Sequence, residues 1–365
     1  MDKIKKNFGF GCMRLQMVGE EVDKEEFCRM IDTFLEAGFN YFDTAHGYIS
    51  GKSETAIRDC LAARHPRESY ILTNKLTDSY FKTREEIRPL FESQLQLCGV
   101  EYFDFYLMHA MNNNRFDFFQ NCGAFDEVLQ LKAEGKVRHM GISFHDKAAV
   151  LDRILTERPD IEVVQIQFNY LDFDDPVVES RKCYEVCRKH GKPVIVMEPV
   201  KGGKLAQMSD DALAIFRELG DMSAASYAIR FAAGHEGIMM VLSGMGNMDM
   251  MRDNLSYMQD FQPLNKQELE AIEKVSKILL EQNQVACTNC RYCVDGCPCE
   301  ISIPDLFNCL NAKRSFRDPG ADQAYRELPG GKASDCVECG QCEEACPQHL
   351  PIRQLLKLAK RVFES

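Results

Sequence analysis

Between residue 8 and about residue 260 the chain alternates short apolar runs with longer stretches whose apolar residues recur every three or four positions. The short runs at 40–43, 70–74, 103–108, 137–142, 163–167, 194–197 and 238–242 predict strands, and the glycine-rich segment 8–14 predicts one more. The stretches at 24–37, 84–98, 124–134, 176–190 and 222–233 predict amphipathic helices between them. Eight strand-helix units in about 250 residues point to a (β/α)8 TIM barrel, an α/β fold, rather than an open doubly wound sheet. No G-x-G-x-x-G turn argues for a dinucleotide-binding fold of the latter kind. Residues 263–282 predict one further helix, and 304–312 and 352–363 two more in a smaller C-terminal region.

Two cysteine runs dominate that smaller region. Cys287-Thr-Asn-Cys290-Arg-Tyr-Cys293-Val-Asp-Gly-Cys297-Pro298 is echoed by Cys336-Val-Glu-Cys339-Gly-Gln-Cys342-Glu-Glu-Ala-Cys346-Pro347. Each reads C-x2-C-x2-C-x3-C-P, the spacing by which thiolates hold a 4Fe-4S cube. Paired C-x2-C units also bind zinc, but a four-thiolate zinc site has no use for the third evenly spaced cysteine or the x3-C-P ending. The region 284–350 resembles the bacterial two-cluster ferredoxins. In that arrangement the fourth cysteine of each run serves the other cluster. One cluster is therefore expected on Cys287, Cys290, Cys293 and Cys346, and the second on Cys336, Cys339, Cys342 and Cys297. The segment 300–335 between the runs is longer than a minimal ferredoxin needs and is expected to cover the cubes, with docking of a partner as the alternative. The sequence divides into a barrel at 1–283 and a ferredoxin-like iron-sulfur domain at 284–365.

Barrel enzymes place their chemistry at the C-terminal ends of the strands. Three such ends carry unusual polar residues: Asp43-Thr-Ala-His-Gly-Tyr48 after the second, Lys75 after the third and His109 after the fourth. Singly, Asp43 reads as a turn cap, Lys75 as a solvated cation and His109 as a core histidine. Together they bring a carboxylate, a phenol, an ammonium and an imidazole to one face, which is a set suited to proton transfer. This region resembles the aldo-keto reductase family, through D-T-A-H-G-Y, F-D-F-Y-L-M-H, G-I-S and V-Q-I-Q-F-N. The resemblance implies a catalytic tetrad of Asp43, Tyr48, Lys75 and His109. Lys75 would stabilise the phenolate of Tyr48, Asp43 would hold Lys75, and His109 would donate to a carbonyl oxygen.

The resemblance also implies a nicotinamide cofactor, NAD(P)H, with Ser143 and Gln165 at its carboxamide. Phe144 stands where the family usually has Asn, and Met197 where it often has an aromatic ring. Gly244, Gly246 and Asn254 match the family's phosphate loop, yet residues 243–250 hold neither Lys nor Arg for a 2'-phosphate. A preference for NADPH is therefore not expected. Cubes move single electrons and nicotinamides move hydride, so a flavin in the same barrel site is an alternative cofactor. The expected partners are a small carbonyl or unsaturated substrate and a redox protein, either a ferredoxin or a flavoprotein. A non-enzymatic reading, a cofactor sensor or partner-binding module with structural clusters, conflicts with the complete tetrad.

Composition narrows the classes further. A formal charge of −12 disfavours nucleic acid, and no run of eighteen apolar residues predicts a membrane span. The start of the chain has charge but no apolar signal core. Seventeen cysteines then fit a reducing, cytoplasmic setting. Cys28, Cys60, Cys98, Cys183 and Cys187 fall within helical patterns as small apolar fillers.

Overall fold

Eight parallel strands close into a barrel in the computed structural model, which describes every residue except 2, 283, 316, 317 and 365. The strands are β1 Phe8–Gly11, β2 Tyr41–Asp43, β3 Ile71–Leu76, β4 Phe103–Met111, β5 Val137–Phe144, β6 Val163–Gln167, β7 Val194–Met197 and β8 Ile238–Ser243. Each pairs with the next in sequence, and β8 closes on β1 through Phe8 opposite Val241 and Phe10 opposite Ser243. The barrel expected from the alternating pattern is therefore present. Its first strand stops at Gly11, leaving Cys12–Arg14 in a loop, while β3, β4 and β5 run further than the apolar runs suggest.

Packing divides the chain into residues 1–199 with 225–264, which hold the barrel, and residues 200–224 with 265–365. Residue 283, where the sequence division was drawn, lies outside the described residues, as do 316–317 of the segment between the cysteine runs. By packing, the segment 200–224 and the helix Lys266–Glu281 go with the cysteine-bearing part.

The barrel interior follows from strand geometry, because alternate side chains share a face. Tyr41, Ile71, Phe105, Leu107, Val163, Ile195, Met240 and Leu242 meet there as one buried cluster. Two glycines make room for them. A side chain at Gly9 would meet Met240, Leu242 and Tyr41 at 2.9–3.0 Å, and one at Gly141 would meet Val163 and Leu107 at 2.6–2.7 Å. Continuing the same inward period by one or two steps toward the C-terminal ends reaches Asp43, Lys75, His109, Ser143, Gln165 and Met197. The candidate site is the last inward layer of the barrel, built from polar residues where the layers below are apolar.

The outward positions pack on helices. Helix Lys24–Glu36 starts at Asp23, whose side chain accepts from Glu26 N at 3.0 Å, and buries Phe27, Met30, Ile31 and Phe34 at helical spacing. Phe34 stacks on Phe39 at 5.2 Å between centroids and meets Phe42 edge-on at 5.5 Å. Helix Arg84–Cys98 opens with a Thr83–Glu86 capping box and ends at Gly99, which takes the left-handed conformation that suits glycine. The sequence pattern did not single out helices Asn113–Asn121, Ala148–Glu157 and Met248–Met258.

In the second unit, helices Asp210–Arg217 and Lys266–Glu281 lie against each other. Its core gathers Ile301, Ile303, Leu306, Phe307, Leu310, Tyr325, Ile352 and Leu356 among the cysteines. The final helix Ile352–Phe363 buries Ile352, Leu356 and Ala359, and Tyr325 stacks on Phe363 at 4.3 Å. At Gly202 a side chain would strike Thr288 O at 2.4 Å, so the 200–224 segment packs tightly on the first cysteine loop.

Candidate active site and cluster cysteines

Lys75 is buried to 1% exposure, and its three ammonium protons have three acceptors. Nζ donates to Asp43 Oδ1 at 2.7 Å, to Thr44 O at 2.8 Å and to Tyr48 OH at 3.2 Å. A buried cation needs such compensation, and the ion pair with Asp43 supplies it. Burial raises the Asp43 carboxyl above its usual range, while Lys75 and then Gln165 act to keep it ionised. Tyr48 meets His109 edge-on with ring centroids 6.1 Å apart. Burial, then the charge of Lys75, then His145 and Arg115, holds His109 well below the ordinary imidazole value of 6.5. The ring is therefore neutral near pH 7. The four residues named from the sequence come together.

Several residues behind them carried no signal in the sequence. Thr77 Oγ1 lies 2.7 Å from His109 Nδ1. Asn74, on the outward face of β3, accepts from Lys75 N at 2.8 Å and donates to Glu54 Oε1 at 2.8 Å. Gln94 donates to Asn74 Oδ1 and Lys75 O and accepts from Tyr106 OH at 2.5 Å. Glu54 is fully buried, with His46 Nδ1 at 2.8 Å from its other oxygen. This network pins the β3 backbone that carries Lys75. An isolated Asn, Glu or Gln in a sequence does not announce such a partner.

The residues expected to meet a cofactor divide into two groups. Ser143 Oγ accepts from Ala110 N at 2.8 Å, and its own O–H has no acceptor among the described residues. Gln165 is buried on the same inward layer, and Met197 ends β7 beside Glu198, whose φ of 55° is unusual for a residue other than glycine. Asn254 is already engaged: its Oδ1 accepts from Ser243 Oγ at 2.7 Å, tying β8 to the following helix. Gly244 and Gly246 lie under Arg14, whose Cδ would be 3.4 Å from a side chain at Gly244. Arg14 pairs with Glu198 at 3.7 Å. Arg14 comes from the loop after β1 and so lies outside residues 243–250, where the sequence has no cation.

The eight cysteines of the two runs surround two hollows. Cys287, Cys290, Cys293 and Cys346 line one of about 310 Å3, and Cys297, Cys336, Cys339 and Cys342 line another of about 320 Å3, open mouths included. The fourth thiol of each run thus lies with the first three of the other. Burial, then repulsion from Cys290, Cys287 and Cys346, pushes the Cys293 thiol up. Cys342 is pushed up to about 11 by burial, Glu343, Cys336 and Cys339. Among the described residues, no three Cys, His, Asp or Glu side chains converge on a point that would hold a single ion. A cube needs thiols spread around a space, and the eight thiols are arranged in that way around the two hollows. The hollows suit cubes. Cys299 lines the second hollow as well, and Cys309 is buried nearby in the core.

The family model for the aldo/keto reductase family matches residues 7–277. The chain belongs to the aldo/keto reductase family. A second model, for a 4Fe-4S dicluster domain, matches residues 286–351. This aldo/keto reductase is 24% identical over 269 residues to an uncharacterized oxidoreductase of Schizosaccharomyces pombe, covering 70% of this chain and 82% of that one. It is 29% identical over 196 residues to the NADH-specific methylglyoxal reductase of Escherichia coli, 48% of this chain and 57% of that one. Among solved structures it resembles an aldo-keto reductase from Bacillus halodurans in holo form, with a TM-score of 0.61 and 24% identity over 74% of this chain and 92% of that one. An aldo-keto reductase from Klebsiella pneumoniae in complex with NADPH gives a TM-score of 0.60 at 17% identity, over 74% and 90%. The structural matches establish the fold. The protein is an oxidoreductase of this family with a 4Fe-4S domain, and no helix among the described residues is long and apolar enough to cross a membrane.

Proposed function

We propose that the barrel reduces a small carbonyl compound, or a related unsaturated one, and that the cysteine-rich domain exchanges electrons with a redox partner through two 4Fe-4S clusters. The observation that carries the first part is Lys75 Nζ held between Asp43 and Tyr48 at 2.7 and 3.2 Å. An ammonium hydrogen-bonded to a phenol favours the phenolate, so Tyr48 can release a proton that an isolated phenol would keep. Tyr48 gives that proton to the substrate oxygen, while neutral His109 donates a hydrogen bond to the same oxygen and orients it. A reduced nicotinamide, when bound, supplies the hydride. Ser143, whose O–H is still available, Gln165 and Met197 would hold its ring end, and Gly244, Gly246 and Arg14 its phosphates. Asn254 supports that loop through Ser243.

The clusters would be held by Cys287, Cys290, Cys293 and Cys346, and by Cys336, Cys339, Cys342 and Cys297. They supply one-electron steps. Residues 1–283 would act as the catalytic domain and 284–365 as the electron-transfer domain. The cysteine usage suits a reducing, cytoplasmic compartment.

The relative named for methylglyoxal suggests small 2-oxoaldehydes as first substrates. Protein purified without oxygen should oxidise a reduced nicotinamide only when a carbonyl is added, and Tyr48→Phe should abolish most of that turnover. Full turnover by Tyr48→Phe refutes the proton-donor role. Flavin bands in the visible spectrum, with no nicotinamide binding, would instead assign the barrel site to a flavin.

A further inference from the structure

Barrels of this architecture commonly bind phosphate at the loops after the seventh and eighth strands, on the N-terminus of the helix that follows. In this chain that helix is Met248–Met258, and its first turn is already supplied with acceptors. Asn247 Oδ1 accepts from Met250 N at 2.9 Å. Met248 N donates to Glu26 Oε1, also at 2.9 Å, from a residue 222 positions earlier in the chain. Glu26 is a built-in anion at this helix end. Its side chain is only 13% exposed, and its other oxygen pairs with Arg29, which is 63% exposed. Asp249 adds a second acidic residue in the same first turn.

We infer that Glu26 sets the nicotinamide preference of this reductase, its carboxylate occupying the helix end that a 2'-phosphate would need and so selecting NADH over NADPH. The inference rests on the nicotinamide reading above. A dianionic phosphate brought beside a partly buried carboxylate meets repulsion that solvent screens poorly. It would also have to displace that carboxylate from Met248 N. A ribose 2'-hydroxyl meets neither obstacle, and it can donate to a carboxylate, as acidic residues do in other NAD sites. Arg29, the cation paired with Glu26, sits mostly in solvent, where its charge is screened. Arg14 lies instead along Gly244 and Gly246, on the β1 side of the loop.

Glu26→Gln tests this without removing the strut between the two helices, since its amide oxygen still accepts from Met248 N. The same change releases Arg29. Binding of NADH and NADPH to the cluster-loaded protein is titrated by fluorescence for parent and variant at low and high salt. The parent should bind NADH at least as tightly as NADPH. In Glu26→Gln the NADPH affinity should rise about tenfold, with NADH within about twofold, and the gain should shrink at high salt. A purely structural role for Glu26 predicts equal loosening of both dinucleotides together with a lower melting temperature, and that result overturns the inference. So does an unchanged ratio of the two affinities. Binding of neither dinucleotide by the parent would overturn the nicotinamide reading itself, and this inference with it.

Discussion

Thr77 Oγ1 and His109 Nδ1 lie 2.7 Å apart, and no other side chain or backbone partner engages the Thr77 hydroxyl among the described residues. With the hydroxyl donating to Nδ1, the proton of the neutral ring sits on Nε2, the nitrogen that the proposed hydrogen bond to the substrate oxygen requires. Thr77→Val should remove this preference and lower kcat about tenfold, within the range of acid-base effects, while nicotinamide binding stays the same. Thr77→Ser should restore most of the rate. Steady-state kinetics on the three proteins checks it, and a Thr77→Val enzyme with full kcat would show that the tautomer does not matter.

Lys75 joins Asp43 and Tyr48 in one hydrogen-bonded unit, so their losses should not add. Tyr48→Phe and Lys75→Met should each reduce carbonyl turnover by about 10²-fold or more, and the double variant should be little worse than either. His109→Ala should cost less. Single and double kcat values decide the matter, and multiplicative losses would separate the residues into independent roles.

The two hollows make distinct predictions for two cysteines. Cys297 lines the hollow of Cys336, Cys339 and Cys342, and Cys346 that of Cys287, Cys290 and Cys293. The parent should hold about eight iron and eight sulfide per chain after anaerobic reconstitution. Cys297→Ser should perturb the cluster of the second run and Cys346→Ser that of the first, and spectra of the two reduced variants should show complementary losses. Damage by Cys297→Ser confined to the first run's cluster would mean that the fourth ligands do not cross. Cys299, in the same hollow as Cys297, should be replaceable without loss of iron.

The neutral imidazole of His109 also leaves a mark on stability. Its proton affinity in the folded state is depressed below the ordinary value of 6.5, chiefly by burial. As pH falls through 6.5 the unfolded chain takes up a proton that the folded chain refuses, so this residue's contribution to stability is present above 6.5 and is lost progressively below it. Asp43, raised by burial, acts in the opposite sense just above its ordinary 3.8. Because both proteins keep Asp43, the comparison of parent with His109→Gln isolates the histidine. The melting temperature of the parent should drop more between pH 7 and pH 5.5 than that of His109→Gln. Parallel curves would place the imidazole in contact with water.

The amino-acid sequence alone determined what short-range periodicity and spacing can encode. Short apolar runs marked the strands, and a step of three or four marked the buried face of each helix, so eight strand-helix units could be counted. Even spacing of cysteines marked the cube-binding runs, and Asp43, Lys75 and His109 could be assigned to strand ends because each directly continues an apolar run. Only the tertiary structure decided which groups complete those sites. Glu26 reaches Met248 across 222 residues, Arg14 crosses to the glycines after β8, and Thr77 and Asn74 act through partners on other strands and helices. Such contacts have no local signature, since they arise when the barrel closes and brings distant backbone segments within hydrogen-bond reach. The segment 200–224 illustrates the same point: its chain position lies between β7 and β8, but packing joins it to the cysteine-bearing unit through Gly202, whose missing side chain admits the backbone of Thr288.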